Sequence, residues 1–160
     1  MNLYLVRHGA AEDKKPGGRD FDRELTEEGK KKMSAAVKGW KTVIPKFDTL
    51  ISSPLVRALE TAEIVRKGYG MKEDIIQDSR LMPGSRTEDI IALVNEMPGD
   101  DIVLFGHEPD FSTHLSRLVS NSGAEFDFKK GAVAKIVFQG RARLSAGRLE
   151  FLIPVKAFGA

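Results

Sequence analysis

The first apolar run of the chain constrains the fold most strongly, because residues that carry chemistry follow it directly. Residues 3–6 are uncharged and mostly β-forming, and Arg7, His8 and Gly9 come next. A run of this kind bounded by a glycine is typical of a buried parallel strand. Because ligands of open α/β sheets bind outside the carboxyl ends of the strands, we expect Arg7 and His8 at a binding edge. A guanidinium that can hold phosphate oxygens, beside an imidazole that can accept a phosphoryl group, suits phosphoryl chemistry.

Strand-like and helix-like segments then alternate as far as about residue 120. Capping residues, prolines and apolar side chains at helical spacing indicate helices that begin near Thr26, Ser53-Pro54, Ser85 and Pro109. Short strands are predicted at residues 48–52, 75–76 and 102–105, and a hairpin at residues 133–138 and 149–153. This order predicts a three-layer α/β/α sandwich. Its sheet would be mostly parallel, with right-handed crossovers and an antiparallel C-terminal edge hairpin.

Two later segments add side chains to the edge at which Arg7 and His8 are expected. The strand predicted at residues 102–105 ends in Gly106-His107 and so repeats the opening pattern. Pro54 suits the first position of a helix, which places Arg57 in the first turn. Exposed N–H donors already favour anions at a helix start, and Arg57 adds a charge there.

Two other features have structural interpretations. His114 lies one helical turn from Phe111 and Leu118, which favours a role in the core. Ser85 and Glu88 have the spacing of a capping box, so we expect Glu88 to cap the third helix.

Composition limits the number of domains and the classes of partner. At 160 residues we expect a single domain, residues 1–160. With 25 basic and 23 acidic residues the net charge is +2, so there is no strong overall field and nucleic acid is not an expected partner. The chain has no cysteine, which excludes disulfides, thiolate catalysis and cysteine-based zinc sites.

The N-terminal apolar run is too short for a signal peptide, and no run approaches the ~18–20 apolar residues that span a bilayer. We therefore expect a cytoplasmic protein with no membrane partner.

Four short motifs occur in order along the chain. They are Arg7-His8-Gly9, Leu-Thr-x-x-Gly at residues 25–29, Ser-Pro-x-x-Arg-Ala-x-x-Thr-Ala at residues 53–62, and Gly106-His107 after a late apolar strand. Together they resemble the signature of the histidine phosphatase superfamily (phosphoglycerate mutase-like, branch 1). The compact chain, in which His107 is followed by x-Pro and then a helix, is most similar to the SixA-type phosphohistidine phosphatases.

The resemblance implies a phosphatase that needs neither a metal nor another cofactor. His8 would be the nucleophile that forms a covalent phosphohistidine. Arg7, Arg57 and His107 would bind the phosphoryl oxygens, and all four residues would be catalytic. The partner would be a phosphorylated protein, through a phosphohistidine, or a small phosphorylated substrate.

The sequence departs from the pattern of many superfamily members at the general acid. Those members carry a catalytic glutamate in the loop after the middle strand, whereas residues 81–85 contain no acid; the SixA-like group also lacks it. Glu12, Asp13 and Glu108 are candidates by proximity. Because a phosphoramidate releases a nitrogen that can already carry a proton, an enzyme without this acid should favour N–P bonds.

Three alternatives stay open. The first is a small-molecule phosphomonoesterase of the same superfamily, and the second is a non-catalytic phosphoryl-binding module built on Arg7 and Arg57. The third is a metal-binding protein that uses His8, His107 and His114, which is disfavoured because two arginines would crowd the cation.

Residues 10–24 have no periodic pattern and predict a loop near the site, either a solvated connector or a mobile cover.

Overall fold

Residues 1–159, the part of the chain that the computed structural model describes, form six strands and four α-helices. The strands are β1 (Asn2–Arg7), β2 (Thr49–Ser52), β3 (Ile76–Gln77), β4 (Asp101–Gly106), β5 (Val133–Val137) and β6 (Arg148–Ile153). The helices are α1 (Glu27–Trp40), α2 (Val56–Gly68), α3 (Thr87–Glu96) and α4 (Asp110–Val119). Ala160, the last residue of the predicted domain, lies outside the described residues.

The strands form one mixed sheet in the order β3-β2-β4-β1-β5-β6. Its first four strands run parallel, with β4 between β2 and β1. β5 runs antiparallel to β1, and β6 runs antiparallel to β5 at the edge. The predicted sandwich with a mostly parallel sheet and a C-terminal edge hairpin is confirmed.

The central strands bury both of their faces, which explains their continuous apolar runs. In β1, Leu3 and Leu5 pack in a core with α3 and α4, whereas Tyr4 and Val6 pack in a second core with α1 and α2. Successive side chains of a strand point to opposite faces, so each face needs its own helical layer. These four side chains are at most 1 % exposed. Burying one large apolar side chain contributes about 1.5–3 kcal/mol.

Helix α1 begins as the sequence predicts. Thr26 Oγ1 accepts a hydrogen bond from the Gly29 amide at 2.9 Å, which confirms the N-cap. A Cβ at Gly29 would collide with the carbonyl oxygen of Ala10. The glycine therefore lets the segment that follows His8 pack directly against the start of α1.

Helix α2 begins two residues later than the proline indicates. Leu55 is the N-cap and Val56 the first helical residue, so Pro54 precedes the helix. The Ser53 hydroxyl accepts a hydrogen bond from the Leu55 amide at 3.3 Å, which leaves its own proton for another partner. Arg57 still falls in the first turn, as predicted.

The capping box predicted for α3 is wrong. Arg86 is the N-cap and offers no side-chain cap. Ser85 Oγ lies 2.8 Å from Nε2 of the buried His114, and the Glu88 carboxylate pairs with Arg117 of α4. Ser85 and Glu88 thus bond to side chains of α4 and do not cap the backbone at the start of α3.

Residues 10–24 form a loop, as predicted. It contains a short 3₁₀ turn at Asp20–Asp22, and a single bridge joins Ala11 to Leu25 near its ends. Asp20 reaches Arg57 of α2, so this loop contacts the carboxyl edge of the sheet. Among the helices of residues 1–159, none combines the length and the apolar character needed to cross a membrane.

Candidate active site

The strand register brings two histidines side by side. β1 and β4 are parallel neighbours, with Arg7 opposite Gly106 at their carboxyl ends. His8 and His107 each follow one of these strands, and their ring centroids lie 5.4 Å apart. His8 is 7 % exposed and His107 2 %. The pair is therefore nearly buried at the edge where α/β sheets bind ligands.

Arg57 reaches the same place from the first turn of α2. Its Nε lies 3.3 Å from His8 Nε2, and the residue is only 5 % exposed. Thr61, one turn further along α2, accepts a hydrogen bond from the Gly9 amide at 3.1 Å and donates one to the Arg57 carbonyl at 2.7 Å. These bonds tie the segment after β1 to the start of α2 and fix the distance between His8 and Arg57.

Hydrogen bonding fixes the tautomer of His8. Nδ1 lies 2.7 Å from the carbonyl oxygen of Gly9, and since a carbonyl only accepts, Nδ1 carries the ring proton. Nε2 therefore keeps its lone pair on the side of Arg57. Burial lowers the pKa of His8 to about 4; the Gly9 carbonyl opposes this shift, and the charges of Arg57 and Arg7 add to it. The ring is neutral at pH 7.

Ser53 orients the second imidazole. Its Oγ lies 2.8 Å from His107 Nε2 and accepts a hydrogen bond from the Leu55 amide, and we assign its hydroxyl proton to the bond with Nε2. The ring proton of His107 then resides on Nδ1, which is buried and makes no hydrogen bond within the described chain. Burial, followed by the nearby His8 and Arg57, lowers the pKa of His107 to about 3. A neutral His107 thus presents one N–H donor that no described group accepts.

Arg7 adds a second guanidinium. One of its terminal nitrogens, NH1, donates to the carbonyl oxygen of Phe128 at 2.8 Å, while its buried Nε has no partner among residues 1–159. Burial lowers the pKa of Arg7, yet a guanidinium remains charged at pH 7. Arg7 directly precedes His8 and pairs with Gly106, the residue before His107, and its charge contributes to the lowered pKa of both rings.

Asp20, which the sequence does not mark, lies against Arg57. Arg57 NH1 donates to the Asp20 carbonyl oxygen at 2.9 Å, and NH2 donates to the Asp20 carboxylate at 3.1 Å. A hydrogen bond from Arg23, together with the charge of Arg57, lowers the pKa of the Asp20 carboxyl. The carboxylate is therefore ionised at pH 7. No local pattern could reveal this contact, because the two residues are 37 positions apart.

The acids suggested by proximity form no hydrogen bond with Arg7, His8, Arg57 or His107 among the described residues. Both carboxylate oxygens of Glu108 accept hydrogen bonds from Ser112, at 2.7 and 2.6 Å, in the first turn of α4. Glu12 and Asp13 are exposed and line a shallow depression formed by their own loop. The carboxylate of Asp20, in contrast, accepts a hydrogen bond from Arg57.

His114 is separate from the histidine pair. Its two ring nitrogens lie 2.8 and 2.9 Å from the hydroxyls of Ser85 and Thr87, and the ring is fully buried. Burial lowers its pKa to about 4. These contacts agree with the structural interpretation of His114. Within residues 1–159, no cluster of three histidine, aspartate or glutamate side chains has a geometry that could hold a metal ion.

The four residues singled out in the sequence thus lie together and offer complementary groups. Two guanidinium charges and the unpartnered Nδ1 of His107 surround a neutral imidazole whose Nε2 lone pair accepts a hydrogen bond from Arg57 Nε. Such a set can bind a tetrahedral oxyanion and attack its central atom.

Comparison with known sequences agrees with this arrangement. A model of the histidine phosphatase superfamily (branch 1) matches residues 3–83. An uncharacterized protein from Picosynechococcus sp. (strain PCC 7002) is 28 % identical over 151 residues, which cover 91 % of this chain and 90 % of that protein.

Solved structures share the fold over nearly the whole chain. The protein histidine phosphatase SixA complexed with tungstate matches with a TM-score of 0.84 at 19 % identity, covering 98 % of this chain and 99 % of that one. SixA from Agrobacterium tumefaciens gives a TM-score of 0.79 at 22 % identity over 96 % and 97 % of the two chains. A phosphoserine phosphatase from Entamoeba histolytica gives 0.72 at 16 % identity over 97 % and 98 %. At identities of 16–22 %, these matches show that the folds are alike.

The superfamily match extends over just more than half of the chain and includes the first three motifs. The chain therefore belongs to the histidine phosphatase superfamily, branch 1, as a phosphatase with a SixA-like fold.

Proposed function

We propose that this chain hydrolyses a phosphoryl group through a covalent phosphohistidine on Nε2 of His8, with residues 1–160 acting as one domain. The observation that supports this most is the state of the His8 ring. The Gly9 carbonyl keeps the proton on Nδ1, and the unprotonated Nε2 lies 3.3 Å from Arg57 Nε. A neutral imidazole is a competent nucleophile, and the guanidinium beside it attracts phosphoryl oxygens.

In the first step, Arg57 Nε transfers its hydrogen bond from His8 Nε2 to a phosphoryl oxygen. The freed Nε2 lone pair attacks phosphorus while the bond to the leaving group breaks and the leaving group takes the electron pair. Arg7, Arg57 and the Nδ1–H of His107 bind the phosphoryl oxygens and stabilise their charge in the transition state. In the second step, water attacks the phosphohistidine and the P–N bond breaks. The released phosphate keeps the water oxygen and one proton, and the other proton passes to solvent. Fixed cations supply the charge stabilisation, so the proposal requires no metal.

In this scheme His107 donates from Nδ1–H, which is present in both the neutral and the protonated ring. Its low pKa reflects burial beside His8 and Arg57, and a bound phosphoryl dianion would raise that pKa. A cationic His107 therefore requires the bound dianion. The Nδ1–H is present in both forms, because the Ser53 hydroxyl occupies Nε2 of the neutral ring.

Substrate binding requires a change at Arg57. Its NH2 group is bonded to the Asp20 carboxylate, and a phosphoryl oxygen carries the same sign of charge as that carboxylate. We expect the phosphoryl group to displace Asp20 from Arg57 NH2. The loop of residues 10–24 would then move when substrate enters, which corresponds to the mobile-cover interpretation.

The substrate class that we favour is protein phosphohistidine. An ester leaving group needs a positioned acid, which typically contributes ~10²–10⁴-fold to the rate. At this site Asp20 is ionised and the Glu108 carboxylate is bonded to Ser112, so neither is poised to donate a proton. The imidazole of a phosphohistidine can leave as a neutral ring without one. A fold relative described as a protein histidine phosphatase supports the same choice.

The second candidate is a small-molecule phosphomonoesterase. The fold is also shared with a phosphoserine phosphatase, with a TM-score of 0.72. The same arginines and histidines would bind the phosphoryl group of an ester.

A substrate panel with wild type and His8→Ala distinguishes these functions. We expect wild type to hydrolyse a phosphohistidine protein faster than phosphoserine or p-nitrophenyl phosphate, with no loss of rate in EDTA. His8→Ala should be inactive on all of them. Faster ester cleavage would favour the second candidate, loss of rate in EDTA would favour a metal site, and a wild type that binds phosphate without turnover would favour a non-catalytic module.

A further inference from the structure

A cationic groove opens beside Arg7 and Gly9, the two residues that flank His8 in the chain. It encloses about 460 Å³, and its lining includes Lys32 of α1, Lys129 and Lys130 of the turn before β5, and Lys156, which follows β6. None of the described residues that line it is acidic. Five positive side chains therefore surround one groove in a chain whose net charge is only +2.

Intramolecular ion pairs leave much of this charge uncompensated. Lys32 pairs with Glu28 at 3.0 Å and Lys129 with Asp127 at 2.7 Å, and both pairs are exposed to solvent. Lys130 and Lys156 are exposed and form no ion pair with any residue of the described chain. Exposed pairs contribute little, so even the paired lysines can exchange their partners for a new anion.

The floor of the groove consists of small and aliphatic residues. Gly9 and Gly29 line it without side chains, and Met33, Pro154 and Val155 form its apolar surface. No aromatic side chain lines the groove within the described residues, so it offers no platform on which nucleic-acid bases could stack. Aliphatic contacts between flexible lysines suit a polypeptide with acidic side chains better than a compact anion, which needs rigid and converging donors.

We propose that this groove docks an acidic segment of the phosphorylated protein substrate while its phosphoryl group lies at His8. The inference rests on the proposed function and adds a criterion for the substrate, namely negative charge next to the phosphorylated residue. Arg7 and Gly9 line the groove and flank His8 in the chain, and the Gly9 carbonyl bonds to His8 Nδ1 at 2.7 Å. The groove therefore continues directly from the phosphoryl site.

Binding of two labelled peptides tests the groove without any reaction. One peptide carries several glutamates around a central histidine, and the other carries glutamines at the same positions. Fluorescence anisotropy at low salt should give a Kd about tenfold lower for the acidic peptide. The difference should shrink as NaCl approaches about 0.5 M, because salt screens exposed charges.

Charge reversal assigns the preference to the groove. Lys130→Glu/Lys156→Glu should abolish or invert the preference for the acidic peptide, and Lys130→Gln/Lys156→Gln should reduce it. Lys41→Glu/Lys72→Glu is the matched control, since it reverses the same number of charges at exposed lysines that follow α1 and α2, at the opposite end of the strands. It should leave both the preference and the activity unchanged.

Three results would overturn the inference. They are equal binding of the two peptides by wild type, a preference that survives both groove variants, and tighter binding of an oligonucleotide of equal charge than of the acidic peptide. The proposed function fails in a different way. A wild type that discriminates between the peptides but hydrolyses no phosphoryl substrate would contradict the catalytic proposal and leave the groove assignment supported.

Discussion

Two uncharged neighbours decide which nitrogen of each site imidazole carries the proton. The Gly9 carbonyl holds a proton on Nδ1 of His8, and the assigned bond from the Ser53 hydroxyl to Nε2 of His107 places its ring proton on Nδ1 as well. Both rings are therefore Nδ1–H tautomers. In the proposed mechanism, Nε2 of His8 is the nucleophile and the Nδ1–H of His107 binds a phosphoryl oxygen.

Ser53→Ala tests this assignment at His107. Without the hydroxyl, the ring proton can move to Nε2 and leave Nδ1 without a hydrogen, so we expect kcat/KM for p-nitrophenyl phosphate to fall about 10²-fold. Ser53→Thr, which keeps a hydroxyl, should recover much of the activity.

Ser52→Ala is the control for that change. Ser52 is also buried, but its hydroxyl donates to the Ser53 carbonyl at 2.8 Å and does not touch His107. Both alanine variants should lower the melting temperature by similar amounts. If they also lowered kcat/KM equally, Ser53 would have only a structural role.

Local motifs identified the four residues that the structure brings together. They did not identify the neighbours that form hydrogen bonds with these residues. These four residues are Arg7, His8, Arg57 and His107. Each lies at the end of a strand, directly after one or in the first turn of a helix, and such positions can be recognised in a sequence. Ser53 could be assigned only a helix-start role, since its bond to His107 spans 54 positions. The sequence likewise gave no sign of Asp20. Long-range choices of hydrogen-bond partner leave no local pattern.

Among the elements, the loop of residues 10–24 has the most direct effect on the site. Its 3₁₀ turn brings an ionised carboxylate to the guanidinium of Arg57. This contact orients Arg57 but places negative charge where a phosphoryl oxygen would bind.

Asp20→Asn is therefore expected to tighten the binding of phosphate-like anions. Removing a like charge at a nearly buried arginine should lower the Kd of tungstate or vanadate by roughly tenfold. The measurement is isothermal titration calorimetry on both proteins.

Asp22→Asn provides a matched control within the same turn. Asp22 pairs with Arg19 on the surface at 2.7 Å and does not bond to Arg57. It should leave anion affinity unchanged. If Asp20→Asn bound tungstate no more tightly than wild type, the phosphoryl group and Asp20 would not compete for Arg57.

Helix starts show where sequence patterns were sufficient and where they were not. The Thr26 cap was predicted because its partner, Gly29, is three residues away. The Ser85 and Glu88 cap has the same local spacing, yet His114 and Arg117 of α4 take these two side chains. A local pattern is reliable only when no buried group from another element needs the same hydrogen bond.

Across the whole molecule, the order of apolar runs was enough to predict the layers. Each central strand is apolar on both faces, and this requires helices on both sides of the sheet. The cationic groove was not predictable in this way. Its lysines come from α1, the turn before β5 and the segment after β6, and the net charge of +2 gives no indication that they gather.

Three buried histidines make the fold sensitive to acid. The pKa values of His8, His107 and His114 are about 4, 3 and 4 in the folded chain, against about 6.5 when unfolded. Below pH 6.5 the unfolded chain binds more protons, so the free energy of unfolding falls as the pH drops from 6.5 toward 4. The contribution of these rings to stability is fully present above pH 6.5.

Urea denaturation between pH 7 and pH 4.5 measures this effect. The urea concentration at the midpoint should fall with decreasing pH. Because His114→Gln removes one of the three rings, it should reduce the slope of the midpoint against pH by roughly one third. A midpoint that does not change over this range would contradict the neutral, buried state of the histidines.

The most direct test of the covalent mechanism is to trap the phosphoenzyme. Wild type is mixed with a phosphohistidine protein, quenched with alkali within milliseconds, and digested for mass spectrometry. We predict one phosphoryl group on the peptide that contains His8, stable in alkali and lost in acid, and none in His8→Ala, which should also be inactive. Turnover by wild type without phosphorylated His8, or substantial hydrolysis by His8→Ala, would contradict the account.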